Sequence, residues 1–272
     1  KRAYMHEVIR VDNLKQHFTS GGGIFKKGYS VKAVDGVSLF VRRGETLGLV
    51  GESGCGKSTL GRTILKLYEP SSGTIVYQGT DITHYSVKEM RPLRKEIQII
   101  FQDPLESLNQ RHTVGMIIEE PFIIPNVGSK QERKVWVGEL LEKVGLSKEA
   151  INRYPHEFSG GQRQRIGIAR AIALKPKLLI CDESVSALDV SVQAQILNLL
   201  LKLQQEMNLA MIFISHDLSV VRHVSDRVAV MFFGKIVEEG TVSEIFESPK
   251  AEYTKTLLAA IPPNHPKNRR RK

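Results

Sequence analysis

Long apolar runs are missing from this sequence. No stretch approaches the 18 or more apolar residues that a membrane span needs, and the first residues do not read as a secretory signal. The expectation is a soluble chain on the cytoplasmic side. Cysteine is scarce as well: Cys55 and Cys181 are too few for a disulfide framework or a four-thiolate metal site. Trp136 is the only tryptophan, and packing among helices is its expected role. No stretch interleaves aromatic and basic residues as a nucleic-acid surface would, so no nucleic-acid partner is expected. What remains suits a substantial globular core. The 272 residues are 41% hydrophobic, enough for one large domain or two lobes. The net charge of +10 is compatible with nucleotides, anionic lipid or an ordinary basic surface. Much of the excess sits at the ends, above all in Arg269-Arg270-Arg271-Lys272, read as a solvated, disordered tail.

One stretch organises the chain. Apolar residues 47–50 run into Gly51-Glu52-Ser53-Gly54-Cys55-Gly56-Lys57-Ser58-Thr59, and a helix is expected from there to about residue 67. The spacing of Gly51, four residues, then Gly56-Lys57-Ser58 is that of a phosphate-binding loop. Glycines let backbone N–H groups approach phosphate oxygens, and the helix N-terminus adds partial positive charge at the same point. Lys57 can then reach the β- and γ-phosphates, and Ser58 can place its hydroxyl on Mg²⁺. From average residue usage the pattern arises by chance in roughly one chain of this length in a hundred.

Before the loop, residues 6–11, 14–18 and 37–41 read as strands of an antiparallel β portion, with a loop at 19–32. Phe18 or Tyr29 could stack on a purine. After it, a strand is expected at 74–77, a helix at 86–95 and a buried strand at 97–101, which leaves Gln102 at the strand's C-terminal end. In open parallel sheets that is where ligands sit. Residues 105–173 read as helical, with helices at 114–120 and 130–144 and breaks at Pro121, Pro125 and Gly128. Then Phe158-Ser159-Gly160-Gly161-Gln162 opens a helix at 163–174, a second anion-binding helix start far from the first. The apolar strand at 178–181 ends in Asp182-Glu183, where Mg²⁺ needs an acidic partner and a water needs a carboxylate to polarise it. A core helix follows at 192–207, just beyond Asp189. The strand at 210–214 delivers His216 to the same rim, where it can touch a γ-phosphate. Strands at 226–233 and 235–239 and a helix from 243 close the chain.

Taken together, the loop, Gln102, residues 158–162, Asp182-Glu183, Ser186-Ala187-Leu188-Asp189 and His216 resemble the ATP-binding cassette ATPases, in family order and over nearly the whole chain. Phe101-Gln102-Asp103-Pro104, residues 153–158, residues 186–195 and Tyr253-Thr254-Lys255-Thr256-Leu257-Leu258 are similar to the ATPases of bacterial oligopeptide and dipeptide importers, a group that also holds nickel and glutathione importers. The resemblance implies an α/β P-loop NTPase core with an antiparallel β subdomain and an inserted α-helical subdomain. It implies a division into residues 1–104, 105–173, 174–246 and a C-terminal extension at 247–272. ATP and Mg²⁺ are the implied ligands. Glu183, His216 and Gln102 are the implied catalytic residues, with Ser58, Gln102 and Asp182 at the metal. ATP on the loop of one cassette would be covered by Ser159, Gly160, Gly161, Gln162 and Asp189 of a second, in a head-to-tail sandwich. The implied partners are two transmembrane permease subunits, a second cassette and a peptide-binding protein, with this chain at the cytoplasmic face of the membrane. Three residues depart from the family pattern: Ser184 stands where proline is usual, Gln110 where an Asn-Pro-Arg turn is common, and Cys55 in place of serine. A soluble cassette acting on nucleic acid or ribosomes is the rival, and it usually carries a second cassette or a long coiled coil.

Overall fold

The computed structural model describes residues 6–20, 29–103 and 107–260, apart from the side chains of Ser20 and Tyr29. The tail at 269–272, Pro104 and most of the glycine-bearing loop after Ser20 therefore lie outside the described residues. Strands β1 (Glu7–Ser20) and β2 (Tyr29–Arg42) pair antiparallel, with Ile9 opposite Val41, Val11 opposite Leu39 and Phe18 opposite Val31. Ile9, Val11, Val37 and Val41 are fully buried. The second strand begins at Tyr29, so the loop expected at 19–32 and the strand expected only at 37–41 are corrected. Register shifts and the positive φ of Asn13 and Gly36 interrupt the period-two pattern and hid the longer pairing.

β3 (Thr46–Val50) is buried at all five positions and feeds α1 (Lys57–Ile64). That helix stops short of the expected residue 67, since Lys66 turns left-handed at φ 55°. β4 (Ser72–Tyr77) and β5 (Thr80–Asp81) extend the first sheet to the order β2-β1-β4-β5. The helix expected at 86–95 is split into α2 (Val87–Met90) and a 3-10 turn at Leu93–Lys95, with Pro92 between them. β6 (Ile97–Ile100) follows. Next come α3 (Val114–Ile123), α4 (Lys130–Lys143) and α5 (Gly160–Ile172), and no strand intervenes among the described residues. Pro121 does not end α3 as expected. It sits in the last turn, where Phe122 is buried against Trp136 with ring centroids 5.2 Å apart.

β7 (Leu178–Asp182), α6 (Val190–Met207), β8 (Ala210–Ile214), α7 (Leu218–Val224), β9 (Arg227–Phe232), β10 (Lys235–Thr241), α8 (Val242–Glu247) and α9 (Glu252–Ala259) complete the fold. The second sheet runs β10-β9-β3-β8-β7-β6, parallel except for β10. Alternate residues of its strands enter two different cores. Val50, Leu179, Cys181, Met211 and Phe213 face the helices α3, α5 and α6. Leu47, Leu49, Leu178, Ile180 and Ile212 face α1 and the antiparallel sheet. Burial on both faces is why these strands read as unbroken apolar runs. Cys181 belongs to the packing, and burial pushes its thiol up to about 12. Among the described residues no helix is long and apolar enough to cross a membrane.

Candidate nucleotide site at the strand ends

Parallel strands that start level also end level, so β3, β6, β7 and β8 deliver their following residues to one rim. From β3 the chain enters the glycine loop. Gly51 and Gly56 sit at φ 152° and 109°, and a Cβ at either would overlap a backbone carbonyl oxygen, of Met231 and Ala33 respectively. Only glycine lets the loop lie this close to its neighbours. Lys57 is 3% exposed, and its Nζ donates to the carbonyl oxygens of Gly51 at 2.8 Å and Glu52 at 2.9 Å. An ammonium so desolvated and met by carbonyl dipoles favours an anion beside it.

Ser58 Oγ donates to Asp182 Oδ1 at 2.6 Å, joining α1 to the end of β7. Asp182 is 1% exposed, and burial pushes its carboxyl above the usual range against the pull of Ser58 and of Arg62, whose Nη2 lies 3.7 Å away. Next along, Glu183 adopts φ 47°, a left-handed conformation uncommon for residues other than glycine. Its Oε2 accepts from Gln102 Nε2 at 3.2 Å and lies 3.4 Å from His216 Nδ1. Three residues from the ends of three strands thus meet at one carboxylate.

Lys57, Ser58, Gln102 and Glu183 border a cavity of about 690 Å³, lined by residues 53–59, Gln102, Glu183, Phe18, Val31, Lys32, Ala33, Phe233 and Gly234, whereas Asp182 and His216 are not part of that lining. Phe18, 39% exposed, stands at its wall with its ring edge-on to Tyr68 at 5.4 Å. The Tyr29 side chain lies outside the described residues. Ser58 and Asp182 offer hard oxygen donors beside the loop, which fits Mg²⁺ held by one or two side chains and completed by phosphate and water. No cluster of three or more acidic, His or Cys side chains that would cage a metal alone occurs among the described residues.

Ser159, Gly160, Gly161, Gln162 and Asp189 do not line this cavity. Ser159 caps α5, accepting from the Gln162 N–H at 3.3 Å, while Gln162 Oε1 accepts from the Ser159 N–H at 3.0 Å. Ser159, Gly160, Gln162 and Asp189 are exposed, whereas Gly161 is buried where a Cβ would overlap Val192. Sequence reasoning missed Arg62, although it lies four residues after Ser58 on one helix face. It also missed Phe233, because nothing in a two-strand turn announces that its ring borders a cavity formed by distant loops.

The chain matches the ABC transporter family model over residues 34–186 and the model of the oligopeptide/dipeptide transporter C-terminal region over residues 237–272. It is 53% identical to the oligopeptide transport ATP-binding protein AppF of Bacillus subtilis, over 96% of this chain and 80% of that protein. It is 50% identical to the dipeptide transport ATP-binding protein DppF of Escherichia coli, over 97% of this chain and 79% of that protein. Among solved structures it is similar to a dimeric ATP-binding cassette in a post-hydrolysis state bound to ADP and Pi, with a TM-score of 0.76 and 28% identity over 86% of this chain and 98% of that one. The resemblance and the fold class expected from the motifs are borne out: the chain belongs to the ABC transporter family, as one of its ATPases.

Proposed function

We propose that this chain is the ATP-hydrolysing subunit of a bacterial importer of oligopeptides or dipeptides. It docks at the cytoplasmic face of the membrane on two permease subunits, pairs with a second cassette, and serves a peptide-binding protein outside. The observation that carries the hydrolytic part is the convergence of Gln102 and His216 on Glu183, beside Lys57 and the Ser58–Asp182 pair. The peptide class rests on the relatives and on the matched C-terminal region.

In this reading the loop N–H groups and Lys57 bind the β- and γ-phosphates, and Phe18 stacks on the base. Ser58 and Asp182, with help from Gln102, would hold Mg²⁺, which would supply charge neutralisation on the phosphate oxygens. Glu183 takes a proton from the attacking water as its oxygen bonds to the γ-phosphorus. The bond to the β–γ bridging oxygen breaks, and ADP keeps that electron pair. Gln102 aims the carboxylate through its 3.2 Å hydrogen bond, and His216 stands where its other ring nitrogen can meet the γ-phosphate. The start of α5, outside its own chain's cavity, covers the ATP of the second cassette with the exposed Ser159, Gly160 and Gln162 and the buried Gly161, and Asp189 adds to that face. Closing that sandwich on ATP and opening it after hydrolysis drives the permeases between inward- and outward-facing states.

Affinity capture of the tagged chain from detergent-solubilised membranes with Mg-ATP, followed by uptake assays with labelled dipeptides, nickel and glutathione, tests this. Recovery of two permeases and a second cassette with peptide uptake is expected. Uptake of nickel or glutathione alone overturns the peptide class, and recovery of ribosomal proteins or nucleic acid alone overturns transport.

A further inference from the structure

The phosphate loop is held at its entrance by a residue from the far end of the chain. Glu52 is the first residue past Gly51, and its backbone N–H has a partner outside the loop. It donates to the Tyr253 hydroxyl at 3.1 Å. The Glu52 carbonyl accepts from the Cys55 N–H at 3.3 Å and from Lys57 Nζ at 2.9 Å. Both polar groups of this backbone position are therefore tied down. Two of the three ties come from within the loop, and a bound phosphate competes for the one from Lys57. The Tyr253 tie comes from outside the loop, across 201 residues.

Tyr253 is itself firmly placed. Its ring packs on Phe232, the last residue of β9, with centroids 4.1 Å apart and planes inclined by 35°. The backbone N–H groups of Lys250 and Ala251 donate to the Glu238 carboxylate at 2.7 and 3.0 Å, which pins the start of α9 to β10. Thr254, the next residue, is 1% exposed. Burial pushes the Tyr253 phenol up, so the oxygen stays a neutral hydroxyl. β9 is also the strand against which Gly51 is pressed, so strand, loop and helix share one wall.

We propose that Tyr253 is a positioning residue for nucleotide binding: the segment at 237–260 sets the loop's affinity for a nucleoside triphosphate through the Tyr253–Glu52 hydrogen bond. This rests on the reading of the loop as the ATP site. It gives the C-terminal segment a part in the cassette's own site, in addition to any contact it makes outside the chain.

Tyr253→Phe removes the hydroxyl and keeps the ring on Phe232, whereas Tyr253→Leu removes both. The wild-type chain, these two variants and Lys57→Ala are compared by equilibrium binding of a fluorescent ATP analogue and by thermal melting. One neutral hydrogen bond to a donor that water can re-solvate corresponds to an affinity loss of about 3- to 10-fold. The expected result is that Kd rises by that factor in Tyr253→Phe while Tm stays at the wild-type value, and that Tyr253→Leu loses both affinity and Tm. Unchanged Kd in Tyr253→Phe overturns the proposal, as does a Kd rise that occurs only together with a fall in Tm. The underlying reading is tested separately: if the wild-type chain binds no nucleotide, or Lys57→Ala binds as well as wild type, that reading fails and the inference goes with it.

Discussion

Replacing Glu183 with Gln removes one charge and leaves the shape of the side chain almost unchanged. The left-handed backbone at φ 47° is as accessible to Gln as to Glu, and a carbonyl oxygen can still accept from Gln102 Nε2 across the 3.2 Å contact. The capacity to take a proton from water is lost, and the carboxylate that stands 3.4 Å from His216 Nδ1 is replaced by an amide. A positioned general base contributes about 10²- to 10⁴-fold, or roughly 3–5 kcal/mol of barrier. Disturbing the contacts to Gln102 and His216 alone costs about 1 kcal/mol, which is under tenfold. The two explanations therefore predict rates at least an order of magnitude apart. Single-turnover phosphate release at saturating Mg-ATP, measured in the assembled transporter, should fall by more than about 100-fold. The Kd for ATP should stay within about 3-fold, since Lys57 and Ser58 are untouched, and the closed dimer should persist longer. A fall of less than tenfold would refute the assignment of Glu183 as the base, and a proportionate loss of ATP affinity would show a damaged site instead.

Other consequences are equally direct. Burial raises the Asp182 carboxyl, so as pH falls the native group takes up its proton before the unfolded one does. Its ionised form therefore opposes folding at neutral pH, and that penalty is relieved as pH drops through the raised native value toward the ordinary carboxylate range. Without nucleotide, Asp182→Asn should melt at or above the wild-type temperature at neutral pH, with the gap narrowing in acid, yet lose Mg²⁺-dependent hydrolysis about 100-fold or more; a lower neutral-pH Tm would contradict this. Phe18→Ala should raise the Kd for ATP by about 2- to 10-fold and Phe18→Tyr should restore it; if Tyr29→Ala has the larger effect in the same titration, the stacking role moves to Tyr29. Ser159→Ala removes the acceptor that caps α5, at a cost of about 1 kcal/mol. It should spare ATP binding to the isolated chain but slow hydrolysis in the complex, and equal losses in both assays would contradict a role in trans.

Much of the site is legible in the sequence, because its parts are local. The glycine spacing before Lys57, the carboxylates directly after an apolar strand, and the Ser159–Gln162 helix start each depend on a few neighbouring residues. The boundaries that failed depend on pairing or on context. β2 starts at Tyr29 because β1 lies beside it through a register that shifts, which no single-strand pattern reveals. Pro92 divides a helix while Pro121 is carried within one despite its missing N–H, with Phe122 buried in the next position.

The order of strands and helices, the phosphate loop and the set of polar residues at strand ends were determined by the sequence alone, because periodicity and backbone chemistry act over short spans. Which of those residues touch was decided only by the tertiary structure. Ser58 meets Asp182 across 124 residues, Gln102 meets Glu183 across 81, and Tyr253 reaches Glu52 across 201. The sheet order β10-β9-β3-β8-β7-β6 makes those contacts by placing strands distant in sequence side by side with their ends level. Hydrogen bonds form only within about 3 Å, so their partners follow from that alignment and from no local pattern.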